Sequence, residues 1–134
     1  MRVFFISVLS SLSVFAHTLN VDILDLHVDD TTVYVALYKP NNKFLSLQDT
    51  YKVQTVQANK EHLHVAFNGL ENGEYAIALF HDENSNKKLD KNFFGVPKEG
   101  YGISNNPKTL LEPTFKDAEF SLQNDKNIKI EVNY

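Results

Sequence analysis

The chain has no cysteine, no tryptophan and a single arginine, Arg2. Without cysteine there is no disulfide framework, no thiol nucleophile and no lipid-anchoring cysteine. Arg2 lies in the opening segment "MRVFFISVLSSLSVFA", a basic residue followed by a serine-dotted apolar run that ends Val14-Phe15-Ala16. Small residues at the minus-three and minus-one positions mark a secretory signal peptide cut after Ala16. The run is shorter than the roughly 20 apolar residues a membrane span needs, and no later stretch is longer. The expectation is a periplasmic or secreted protein starting at His17, with no membrane insertion after cleavage. Removing Arg2 from the 13 basic residues leaves 12 lysines against 17 acids, a net charge of −5 with neutral histidines. That balance, with no arginine fork to read phosphates, excludes nucleic acid as a partner.

What is present is alternation. Leu19, Val21 and Ile23 alternate with Asn20 and Asp22, and Val33, Val35 and Leu37 with Tyr34, Ala36 and Tyr38. "YKVQTVQA", "HLHVAFNGL", "GEYAIALF", "FKDAEFSL" and "NIKIEVNY" continue the period of two that strands require. In "GEYAIALF" both faces are apolar, the pattern of a strand buried on two sides. Residues 17–134 therefore read as one all-β domain, a single seven-stranded antiparallel β-sandwich with one long structured loop. "KPNNKFLSLQDT" leaves room for one helical turn around Phe44 to Leu47. The stretch from Asp82 to about Pro113 is far longer than an ordinary connection. Phe93, Phe94, Tyr101 and Ile103, interspersed with Gly95, Gly100 and Gly102, suit it to packing back on the domain, its aromatics anchored inward or facing a partner.

That long stretch opens with "HDENSNKKLD", His81 to Asp90. In calcium loops of the D-x-[DN]-x-[DN] kind, side-chain oxygens come from positions one, three and five, a carbonyl from seven and a further ligand from nine. Counting from Asp82 places Asn84, Asn86, the Lys88 carbonyl and Asp90 at those positions. Position six is Lys87 where a helix-loop-helix site has glycine, and position twelve is Phe93 where it has glutamate. Calcium in this chain would therefore sit in a loop leaving a strand, with Glu83, Glu99, Asn105 or Asn106 as further donors. The competing reading is a turn in which Asp and Asn cap nearby backbone unaided.

The histidines form a second candidate metal set. His62 and His64 are two apart and share a strand face, and His17 after cleavage offers both amine and imidazole. A copper or zinc site using His17 with His62, His64 or His81 follows as the alternative. A catalytic reading finds no support: there is no G-x-S-x-G elbow, and Ser46, Ser85, Ser104 and Ser121 have no triad context.

The run "GEYAIALFHDENSNKKLDKNFFGVPKEGYGISNN", with "FNGLENGEYAIALFHDEN" overlapping it upstream and "FKDAEFSL" downstream, resembles the hallmark segment of the DUF2141 family, small secreted bacterial proteins of uncharacterised function. "FFGVPKEGYG" is its distinctive part. Family members usually carry glycine where this chain has Ser85 and Lys87. "GLENGEYAIALF" is also similar to the start of a strand in transthyretin-like and carboxypeptidase-regulatory-like sandwiches, where a purine-breakdown hydrolase uses histidines with an arginine that residues 17–134 lack. The resemblance implies the fold and supplies no catalytic residues. The expected function is a non-enzymatic module whose calcium-bound loop serves an unidentified protein, glycan or small-molecule partner.

Overall fold

Period-two alternation becomes strands wherever one face can be buried. In the computed structural model, which describes residues 3, 4, 6, 16–89 and 97–134, β1 (His17–Leu24) turns Leu19, Val21 and Ile23 inward to full burial. It lies between β4 (Leu63–Leu70) and β8 (Lys126–Glu131) in a three-stranded sheet. The second sheet runs β3 (Lys52–Gln57), β2 (Thr32–Tyr38), β5 (Gly73–Asp82), β6 (Tyr101–Ile103). The short strand β7 (Phe120–Leu122) pairs with the first residues of β5, Gly73–Tyr75. The protein is all-β with two sheets, and both contribute to one buried cluster: Val21, Val65, Phe67 and Ile130 from the first, Val35, Leu37, Ile77 and Leu79 from the second.

Expectation and structure differ at several points. Eight strands occur among the described residues, and β8 runs parallel to β1, with Val21 opposite Ile128, so the arrangement is not purely antiparallel. The added strand is β6, three residues whose identity as a strand comes from pairing with Ala78–Phe80 rather than from local pattern. "FKDAEFSL" is only half strand: Thr114 and Asp117 form a reciprocal capping box that starts the helical turn α1 (Phe115–Ala118), and Glu119 returns to extended backbone before β7. The room left for a helical turn around Phe44 to Leu47 is not used; that segment is a series of turns with Leu45 at φ 70°.

β5 is buried on both faces as its composition requires. Its second face carries Ala76 and Ala78, covered by Phe44, Leu45, Phe115 and Ala118. Beyond β8 the chain changes sheets. Asn133 exchanges two backbone hydrogen bonds with Tyr101, at 3.0 and 2.8 Å, so the continuation of a strand in the first sheet ends against β6 of the second. This corner brings Tyr134 to the end of β5, where His81 and Asp82 begin the long connection. Among the described residues no helix is long and apolar enough to cross a membrane.

Candidate functional site

The Asp82 loop is built by side chains accepting from their own backbone. Asp82, 1% exposed, takes the Asn86 N–H on Oδ1 at 3.1 Å and the Lys87 N–H on Oδ2 at 2.7 Å. Asn84 Oδ1 accepts from Asn86 N at 3.3 Å, and Asn86 Oδ1 from Lys88 N at 3.0 Å. Each amide oxygen thus bonds the N–H two residues on, the turn that Asn favours because its side chain mimics backbone. Winding the chain this tightly puts Ser85 at φ 56° and Lys87 at φ 62°, the left-handed region. Neither residue has the freedom of glycine there, so the turn is held by residues that pay for it in strain. Ser85→Gly with Lys87→Gly should raise stability by about 1 kcal/mol, less than the roughly 1–2 kcal/mol per residue of left-handed strain because added glycine also loosens the unfolded chain. A higher urea midpoint with an unchanged slope checks this.

Of the further donors considered, the acids reach the loop and the amides do not. Glu99, 5% exposed, accepts from Asn84 N at 3.3 Å, and Glu83 accepts from Gly100 N at 3.1 Å. Together they tie residues 99–100 to the turn. Asn105 instead donates to the carbonyls of Asp117 and Glu119, and Asn106 caps β8 through Lys129 O and Glu131 N. Asp90, Phe93 and Phe94 lie outside the described residues. Tyr101 is half-buried on β6 and packs against the cluster of Ala76, Ile103 and Ala118, an anchor on that face. Among the described residues no three His, Cys, Asp or Glu side chains gather into a metal-holding group. A cation here would therefore depend on the amide oxygens of Asn84 and Asn86, the Lys88 carbonyl and Asp90 as well as on Asp82. That donor set is all oxygen, the chemistry of a hard ion such as calcium.

The histidines are not brought together. His64 stands opposite Asp22 on the outer face of the first sheet, with its ring nitrogens 3.0 Å from Asp22 Oδ1 and 3.1 Å from Asn20 Oδ1. His17 begins the same β1 five residues earlier, roughly 16 Å away at about 3.3 Å per residue, and bonds Asn72. His62 is exposed just before β4. His81 belongs to the other sheet and is fully buried.

His81 has partners that local pattern did not reveal. Its Nε2 lies 2.8 Å from Asp29 Oδ1 and 2.7 Å from Thr31 Oγ1, and its Nδ1 lies 2.7 Å from the Tyr134 hydroxyl. A carboxylate only accepts, so Nε2 carries a proton shared between Asp29 and Thr31; the Thr31 hydroxyl itself donates to Asp29 at 2.6 Å. The Tyr134 oxygen accepts from His27 N at 2.9 Å, leaving its own O–H to donate to Nδ1. Burial outweighs the His27 contact and, with Glu83 and Asp29 nearby, pushes the Tyr134 hydroxyl up to about 12. Asp29 is shifted the other way: burial raises it, but hydrogen bonds from Thr31 and His81 win and hold it below the ordinary aspartate value. Sequence spacing points to His81 alone, because Asp29, Thr31 and Tyr134 reach it through sheet pairing.

No curated protein and no solved structure matches the chain. A family model described as "Uncharacterized protein conserved in bacteria (DUF2141)" matches residues 21–131. Since that match runs from β1 to the end of β8 and spans the Asp82 loop, the chain belongs to the DUF2141 family.

Proposed function

We propose that this protein is a periplasmic or secreted, non-enzymatic β-sandwich module, of the Ig-like or transthyretin-like kind, whose Asp82 loop binds calcium. The ion orders the connection beyond Asp82 for contact with a protein, glycan or small-molecule partner. The observation that carries this reading is the winding of Asp82, Asn84 and Asn86 onto one turn, with the buried Glu99 carboxylate drawn to the same turn. Asp82, Asn84, Asn86, the Lys88 carbonyl and Asp90 would hold the ion. The shared core of the two sheets supports the sandwich.

Calcium supplies positive charge to oxygen donors, and an ion that binds only the folded loop stabilises the fold by about 2.7 kcal/mol at 100 times its Kd. The loop's own N–H donors fix the Asp82 carboxylate before any ion arrives, so little reorganisation is needed. Thermal unfolding of residues 17–134 in chelator, calcium, zinc and copper tests the reading. The expected result is a rise in melting temperature specific to calcium and abolished by Asp82→Ala with Asp90→Ala. An unchanged melting temperature in millimolar calcium rejects it. A copper response lost on replacing His17 would instead favour a copper-handling protein.

A further inference from the structure

Tyr134 is held as a ligand is held. Its ring lies parallel to that of His27, 3.5 Å between centroids and 4° between planes. The ring also presses on Gly100, where any Cβ would come within 2.4 to 2.9 Å of three ring carbons, so the slot exists only because residue 100 has no side chain. At its base the hydroxyl meets one donor, His27 N at 2.9 Å, and one acceptor, His81 Nδ1 at 2.7 Å. His81 is fully buried and fixed from behind by Asp29 and Thr31. A stacking plane, a side-chain-free floor, and a donor and acceptor at hydroxyl distance make a complete recognition set for a phenol. All of it addresses the side chain. The last backbone pairing is at Asn133 with Tyr101, and Tyr134 remains 47% exposed.

We propose that this slot between His27 and Gly100 is a binding site for a phenol group, with Tyr134 as its resident and displaceable occupant. The inference is independent of calcium at the Asp82 loop. A free phenolic compound and a tyrosine side chain both supply this chemistry, a flat ring and one hydroxyl that donates and accepts. Aliphatic alcohols lack the stacking plane, and toluene lacks the hydroxyl, whose loss leaves His81 Nδ1 without a partner. In the wild type the tethered ring competes at an effective concentration of order millimolar, so an outside ligand must overcome it.

The test is a titration of the Tyr134→Ala variant with p-cresol, toluene and N-acetyl-Asn-Tyr, followed by the imidazole NMR signals of His27 and His81. Saturable p-cresol binding is expected, at least about tenfold tighter than to wild type and about tenfold tighter than toluene, a difference of about 1.4 kcal/mol. Binding of the dipeptide more tightly than p-cresol identifies a peptide tyrosine as the ligand; the reverse order identifies a free phenol. A folded variant that binds neither p-cresol nor the dipeptide overturns the proposal. Should Tyr134→Ala not fold, wild type decides: p-cresol must remove the ring-current shift that His27 imposes on the Tyr134 ring, and unchanged Tyr134 ring signals at its solubility limit overturn the proposal.

Discussion

Asp82→Ala should destabilise the protein by about 3 kcal/mol even in chelator, because two backbone N–H groups lose a charged acceptor and each such bond contributes roughly 1.5–3 kcal/mol. The bonds concerned are those from Asn86 and Lys87, at 3.1 and 2.7 Å. Asp82 is also 1% exposed, so water does not simply replace the carboxylate. Asp82→Asn keeps one oxygen and should cost about half as much, the remaining contact being neutral and weaker. Urea unfolding in chelator and in calcium separates the two roles of this residue. If Asp82→Ala lowered the midpoint only in calcium, the carboxylate would serve the ion alone, and the self-capped turn would contribute nothing. The expected pattern is a loss in both solutions that is larger in calcium.

Gly102→Ala should cost about 2 kcal/mol through overpacking. Gly102 lies on β6 where the two sheets approach, and an added Cβ would meet Ile130 Cγ2 at 2.6 Å, the Glu131 carbonyl at 3.1 Å and Leu79 Cδ1 at 3.2 Å. The nearest obstacle is a branched core side chain at full burial, and the second is backbone, so neither can move aside freely. The origin can be tested by a double-mutant cycle. Ile130→Ala alone should destabilise by about 3 kcal/mol through the cavity it leaves. Gly102→Ala combined with Ile130→Ala should cost about 1 kcal/mol less than the two separate losses together, because the new methyl enters the vacated space. Strict additivity in urea midpoints would show that the glycine is needed for some reason other than close approach.

The sequence was legible where one residue in two meets the core. Leu19, Val21 and Ile23, or Val33, Val35 and Leu37, announce β1 and β2 because each strand is long enough to repeat the pattern. β6 has three residues and no repeat; it is a strand because β5 offers Ala78–Phe80 as a partner. In "FKDAEFSL" the alternation is real but the Thr114–Asp117 cap, a contact three residues apart, takes precedence over it for the first four positions. The Asp82 turn was readable for the same reason that β6 was not: its bonds join residues two to five apart, so spacing alone carries the information. The grouping of histidines was not readable. Whether His17 and His64 meet depends on which residue of β1 faces His64, and the register gives that place to Asp22. The meeting of His81 with Asp29 likewise waits on the pairing of β2 with β5, and its meeting with Tyr134 on the sheet-changing corner at Asn133.

The parallel pairing of β1 with β8 has a kinetic consequence. β1 is the middle strand of its sheet, yet one of its two neighbours is β8, the last of the strands among the described residues. Forming that pair requires closing the segment between Leu19 and Lys126 into one long loop, an entropic cost met before the contact gives any return. The second sheet, in which β2, β3 and β5 pair within a shorter span, can assemble first. Folding should then finish at β8, with amides of β1 that bond β8 protected later in pulse-labelled hydrogen exchange than those of β2. A chain lacking β8 would leave the inner strand of its first sheet with an unsatisfied edge, and so would stay unlocked until β8 is added.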